Sequence, residues 1–140
     1  MKMFIKIRIS GDKLELEKIS KQLKVSPICT YKKGDLITNT KIKVNVETYQ
    51  EDCWMYGIES KDTELQGDFL QRFVKELVPH SEFLKSIAIG NDITIWISIY
   101  PDNEQCNINI PTFVIDFISK IGATLDINTL FLKNFYDGIY

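Results

Sequence analysis

Residues 3–9 alternate strictly, with Met3, Ile5, Ile7 and Ile9 on one side and Phe4, Lys6 and Arg8 on the other. A period of two marks a strand with one buried face. Ser10 and Gly11 turn the chain. Asp12 and Glu15 then have the D-x-x-E spacing of a helix N-cap and its reciprocal partner. Leu16, Ile19 and Leu23 follow at helical spacing, and the helix has to end before Pro27, which pushes Ser26 out of the helical region. Ile28–Tyr31 reads as a short strand and Lys33-Gly34-Asp35 as its turn. Residues 41–48 alternate again with Ile42, Val44 and Val46 inward, and residues 53–59, CWMYGIE, read as the next strand.

A second helix is expected with Asp62 or Thr63 as its cap. Leu65, Phe69, Phe73 and Leu77 recur every fourth residue, Leu70, Val74 and Val78 widen the stripe, and Pro79 closes it. Residues 80–86 allow one further short turn. DITIWISIY, residues 92–100, has Ile93, Ile95, Ile97 and Ile99 in one row and is expected at the centre of a sheet packed against helices. Pro101-Asp102-Asn103 predicts a hairpin into Gln105–Ile110. Pro111 and Thr112 open a third helix with Phe113, Phe117 and Ile121 at i, i+4 intervals beside Val114 and Ile118, and Gly122 ends it. TLDINT, residues 124–129, forms the last strand with Leu125 and Ile127 inward. Helices fall between strands and hairpins are frequent. The order predicts one α+β domain over residues 1–140, with a largely antiparallel or mixed sheet of six to seven strands and three helices mainly on one face.

A chain of 140 residues with 44% hydrophobic and 26% charged side chains can bury a core of its own. Its net charge of -2 is unevenly spread: residues 1–48 hold 11 Lys or Arg against 5 Asp or Glu, and residues 49–140 hold 6 against 14. The basic part lacks the dense cluster of a nucleic-acid footprint, so no nucleic-acid partner is expected. Cys29, Cys53 and Cys106 are odd in number and lack metal-binding spacing, and His80 is the sole histidine. No metal or cofactor is expected, and a reducing, cytoplasmic compartment is the simplest setting. The opening MKMFIKIRIS has no continuous apolar core, so it does not read as a signal peptide, and no run is long enough to span a membrane.

The order of short motifs resembles the DUF4279 family over nearly the whole chain. It runs through Ser10-Gly11-Asp12, Ile19-Ser20, the Leu23-x-Val25-x-Pro27 step, the Tyr31-x-Lys33-Gly34-Asp35 turn, Trp54, and Gly122-Ala123 with Leu125-Asp126-Ile127. Asn128 and Leu130 stand where the family pattern has aspartate and tyrosine. The resemblance implies the fold and brings no activity with it.

Four places carry chemistry. In TYKKGD, residues 30–35, Lys32, Lys33 and the Gly34 N–H could receive an anion, and the competing reading is a turn with Gly34 at positive φ. One glycine is too few for a Walker loop. Asp126 and Asn128 share a face of the last strand, but an amide in place of a second carboxylate weakens an acid–base or hard-cation reading. His80 has no nucleophile assigned beside it. Trp54, Tyr56, Trp96 and Tyr100 are candidates to line one sheet face, which is core if helices cover it and an anchor surface if they do not.

The sequence therefore favours a non-enzymatic, cytoplasmic protein-binding module, with toxin neutralisation as one specific form. Its candidate surface is Tyr31, Lys32, Lys33, Asp35, Trp54, Asp126 and Asn128. The alternatives are a small-molecule binder or hydrolase with a pocket near the Lys-Gly-Asp turn, and self-association through the aromatic tail of Phe135, Tyr136 and Tyr140.

Overall fold

A computed structural model describes residues 1–37, 47–103 and 105–130. The elements run β1 (Lys2–Gly11), α1 (Leu16–Leu23), β2 (Cys29–Tyr31), β3 (Asp52–Glu59), α2 (Gln66–Leu77), a 3-10 turn (Val78–His80), α3 (Ser81–Ile87), β4 (Asp92–Tyr100), α4 (Thr112–Lys120) and β5 (Thr124–Thr129). Among the described residues five strands form one mixed sheet in the order β2-β3-β1-β4-β5. β1 lies at its centre, antiparallel to β3 and β4. β2 is antiparallel to β3, and β5 is parallel to β4. A parallel neighbour requires a crossover connection, and α4 supplies it.

The strict alternation of β1 and β4 sets the layering. Met3, Ile5, Ile7 and Ile9 join Ile93, Ile95, Ile97 and Ile99 in one buried face, on which Leu23 of α1, Phe69, Phe73 and Leu77 of α2, and Val114 and Phe117 of α4 pack. The α+β architecture with helices on one face follows directly from those two isoleucine rows. The three expected helices form as α1, α2 and α4, and the short turn after Pro79 extends into the seven-residue α3. Gly122, at φ +72°, ends α4. The Gly122 N–H bonds the Ser119 carbonyl and the Ala123 N–H the Ile118 carbonyl, the paired closure of a Schellman motif.

Several expectations are corrected. Among the described residues the strand count is five, not six or seven. The expected strand at 41–48 falls largely outside the described residues, and residues 105–110 form no ladder. Both sides of β4 are already taken, by β1 and β5, which leaves no place for the expected hairpin partner. The alternation of Cys106, Ile108 and Ile110 is spent on packing against the core. The Gln66 side chain holds this segment instead, donating to the Asn107 carbonyl at 3.0 Å and accepting from the Asn109 N–H at 3.2 Å.

The expected side-chain caps do not form either. α1 starts at Leu16 with Glu15 as its cap residue, and α2 starts at Gln66 after an exposed Leu65; neither has a side-chain cap bond. Phe113, on α4, and Ile127, on β5, are exposed. Of the three cysteines, Cys29 is exposed, Cys53 is buried and Cys106 is half-buried on the unpaired segment; all three are free.

At the C-terminal end of β3, Glu64 fixes the approach to α2. Its carboxylate accepts both the Nε and Nη2 of Arg72 at 2.9 Å and the Lys61 N–H at 3.0 Å. The Arg72 bonds, followed by that of Lys61, hold the Glu64 carboxyl down to about 2. Tyr56 donates to Glu76 at 2.7 Å, and burial first, then that bond, pushes its phenol up to about 12.

Candidate functional site

Register decides what each face of the sheet carries. Trp54 and Tyr56 lie opposite Ile9 and Ile7 and therefore face the helices. Trp96 and Tyr100 lie opposite Lys6 and Lys2 and therefore face away. The four aromatics do not share a face, because strands paired in this register put odd residues of β1 beside even residues of β3. Trp54 is fully buried, and its Nε1 donates to the Ser20 hydroxyl of α1 at 2.9 Å. On the far face the Lys6 ammonium lies 4.5 Å from the centroid of the Trp96 ring.

The TYKKGD segment is a framed turn. The Lys32 N–H donates to Asp35 Oδ2 at 2.9 Å, and the Asp35 N–H returns to the Lys32 carbonyl at 3.0 Å. Gly34 sits at φ +93°, a conformation that disfavours any side chain. Its N–H donates to the Tyr49 carbonyl at 2.9 Å, and the Tyr49 N–H to the Asp35 carbonyl at 2.9 Å. Tyr31 and Tyr49 stack with centroids 3.6 Å apart. Arg8 from β1 donates to the Tyr31 hydroxyl at 3.3 Å and lies 3.5 Å from Glu51. The Lys32 and Lys33 side chains remain exposed, with Lys33 only 4.0 Å from Asp12.

One residue missed from the sequence joins these parts. Asp52 opens β3 and is buried, and its two oxygens serve two different segments. Oδ1 accepts the Lys33 N–H at 2.8 Å and Oδ2 accepts the Leu14 N–H at 2.9 Å, just ahead of α1. The Lys33 bond, followed by the Leu14 bond, holds its carboxyl below the ordinary carboxylate range. A carboxylate in that state is a fixed acceptor. The only hint in the sequence is an acid placed at the head of an apolar strand.

Of the expected site residues, Tyr31, Lys32, Lys33 and Asp35 come together around Asp52 and Tyr49. Trp54 lies in the core beside them: it pairs with Thr30 across the β2–β3 ladder and bonds Ser20, so it positions α1 against β2. Asp126 and Asn128 are exposed on β5, at the opposite edge of the sheet. His80 sits half-buried in the 3-10 turn. The tail residues Phe135, Tyr136 and Tyr140 lie outside the described residues. Among the described residues no group of three or more His, Cys, Asp or Glu is placed to hold a metal ion, and no helix is long and apolar enough to cross a membrane.

The motif order that frames this turn has a counterpart in a family model, which matches residues 1–132. The chain belongs to DUF4279, a domain of unknown function. No curated protein and no solved structure matches it significantly. In this DUF4279 chain the match covers every described element, from β1 to β5, including the Asp52-bound turn.

Proposed function

We propose that the chain is a non-enzymatic protein-binding module whose contact surface centres on the Lys-Gly-Asp turn. The observation that carries this reading is the mismatch between frame and tip. Five hydrogen bonds to and within the turn fix its backbone, while the Lys32 and Lys33 side chains project into solvent. A surface ordered before contact loses less conformational freedom on association than a mobile one. The three free cysteines suit a reducing, cytoplasmic setting. Toxin neutralisation is the specific form we favour, by analogy with other small single-domain proteins that act by surface contact.

The test is affinity capture from native lysate with the wild-type chain and a Lys32→Glu, Lys33→Glu double variant. The wild type is expected to retain partners that the variant loses. Recovery of the same partners at the same strength would remove the turn from the contact surface.

A further inference from the structure

Beside the turn, on the helix side of β2, an open groove of about 780 Å³ runs along the first turns of α1. We infer that this groove docks an acidic peptide segment of a partner protein; the inference rests on the protein-binding reading above and names the chemistry of the partner. Leu14 and Leu16 give the groove an apolar lining, Thr30 adds a hydroxyl, Lys18, Lys21 and Lys32 add ammonium groups, and Glu15 and Glu17 add carboxylates.

Its two walls are fixed relative to each other. Asp52 holds the approach to α1 through the Leu14 N–H and the turn through the Lys33 N–H. Trp54 ties α1 to β2 through Ser20 and its ladder partner Thr30. The groove is thus formed before anything enters it, which favours binding by lowering the ordering cost.

Charge selects the occupant. Residues 12–35 hold six lysines. Lys18 pairs with Glu15 at 3.7 Å and Lys33 with Asp12 at 4.0 Å. Among the described residues Lys13, Lys21, Lys24 and Lys32 have no carboxylate within ion-pair distance. Glu17 and Asp35 are the acids of this stretch outside those two ion pairs, and Asp35 accepts the Lys32 N–H. The lining carries three ammonium groups against two carboxylates, and one of each, Lys18 and Glu15, pair with each other. The whole stretch holds six lysines against four acids, so a net positive groove attracts an anionic segment. The leucines suit a peptide that also carries apolar side chains. Among the described residues no aromatic lines the groove, so these offer nothing on which a nucleic-acid base could stack.

The experiment is fluorescence polarisation of a fluorescein-labelled peptide of alternating glutamate and leucine, titrated with the full chain at low and at high salt. The wild type is expected to bind and to weaken as salt rises. A Lys21→Glu, Lys32→Glu variant with an unchanged urea midpoint is expected to bind on the order of tenfold more weakly. A Lys75→Glu, Lys85→Glu variant makes the same charge change on α2 and α3 and is expected to bind as the wild type does. No binding by the wild type would overturn the inference. So would equal losses in both variants, which reports bulk charge alone, or an oligothymidylate that binds as tightly and displaces the peptide. If the peptide fails while capture still depends on Lys32 and Lys33, the acidic-peptide inference falls and the protein-binding reading stands. If the peptide binds as expected while capture ignores those lysines, the groove inference stands and the turn leaves the contact surface.

Discussion

The two edges of the sheet were equally suggestive as sequence and are built in opposite ways. At the β2 edge three strand residues, too few to hold themselves, are secured by Asp52, by the Tyr49 backbone and by the Tyr31–Tyr49 stack. At the β5 edge six residues run beside β4, and Asp126, Ile127 and Asn128 are exposed without a side-chain hydrogen bond among the described residues. The short edge has a rigid frame with charged tips. The longer edge relies on its ladder and on Leu125 packed against the core. Polar residues at a strand terminus carry structural information only when a buried group elsewhere receives their backbone, and that receiver lies far off in sequence.

The largest effect is therefore expected from Asp52. Replacing it with alanine strands two N–H groups at Lys33 and Leu14, and hydrogen bonds to a charged acceptor contribute roughly 1.5–3 kcal/mol each. Asp52→Ala should destabilise the fold by about 3 kcal/mol in urea unfolding. A change below about 0.5 kcal/mol would mean the β2 edge is held without Asp52.

Acid offers the same contrast without mutation. The Asp52 and Glu64 carboxyls are held below their ordinary values in the folded chain, Glu64 at about 2. Their contribution is complete above the ordinary carboxylate range and is lost as pH falls, from near the reference value of 4.5 toward 2 for Glu64. Urea midpoints should fall across that interval, and Glu64→Gln should flatten the fall. Tyr56 works in the other direction. Its phenol is raised to about 12, so its contribution is complete below the reference value of 10.0 and is lost as pH rises between the two. Tyr56→Phe should flatten that alkaline limb.

A smaller effect is expected at Gly34, where φ is +93° and a methyl group would meet nothing within 4 Å. Gly34→Ala therefore introduces backbone strain without a clash, costing about 1 kcal/mol by the same measurement. A neutral result would show that the turn relaxes, and with it the argument that the lysines are presented on a fixed frame.

The sequence made the layers legible because β1 and β4 alternate without a break and their isoleucines have one place to go. It made the turn at Lys33-Gly34-Asp35 legible because glycine and aspartate have few other uses there. It misplaced what depends on pairing. Residues 105–110 alternate as a strand does, but alternation reports which side is buried and not whether a ladder partner is free. Asp12 and Glu15 have capping-box spacing, yet the backbone ahead of α1 is bound by Asp52, some 40 positions on, at a sequence separation of 38 for Leu14. Trp54 and Trp96 look alike as lone tryptophans in apolar strands, and only the register separates a core indole from one stacked under Lys6. The candidate site was thus half legible: its lysines were visible, and the carboxylate that positions them was not.

The smallest effect is expected at the β5 edge. Asp126 and Asn128 lie opposite Trp96 and Ser98 in the parallel ladder, and their side chains point to solvent on the face away from the helices. Asp126→Asn and Asn128→Asp should each shift stability by no more than about 0.5 kcal/mol, because surface substitutions away from a cap, a buried charge or a special backbone angle rarely do more. The Asn128→Asp variant also adds a carboxylate two residues from Asp126, so like charges sit on one face of the strand. If that variant leaves capture of partners unchanged, the exposed polar pair is a solvated strand face, and the difference between the edges is one of function as well as construction. If it alters capture while the urea midpoint holds, the β5 edge contacts a partner without a built frame, and rigidity at the β2 edge no longer marks the binding surface.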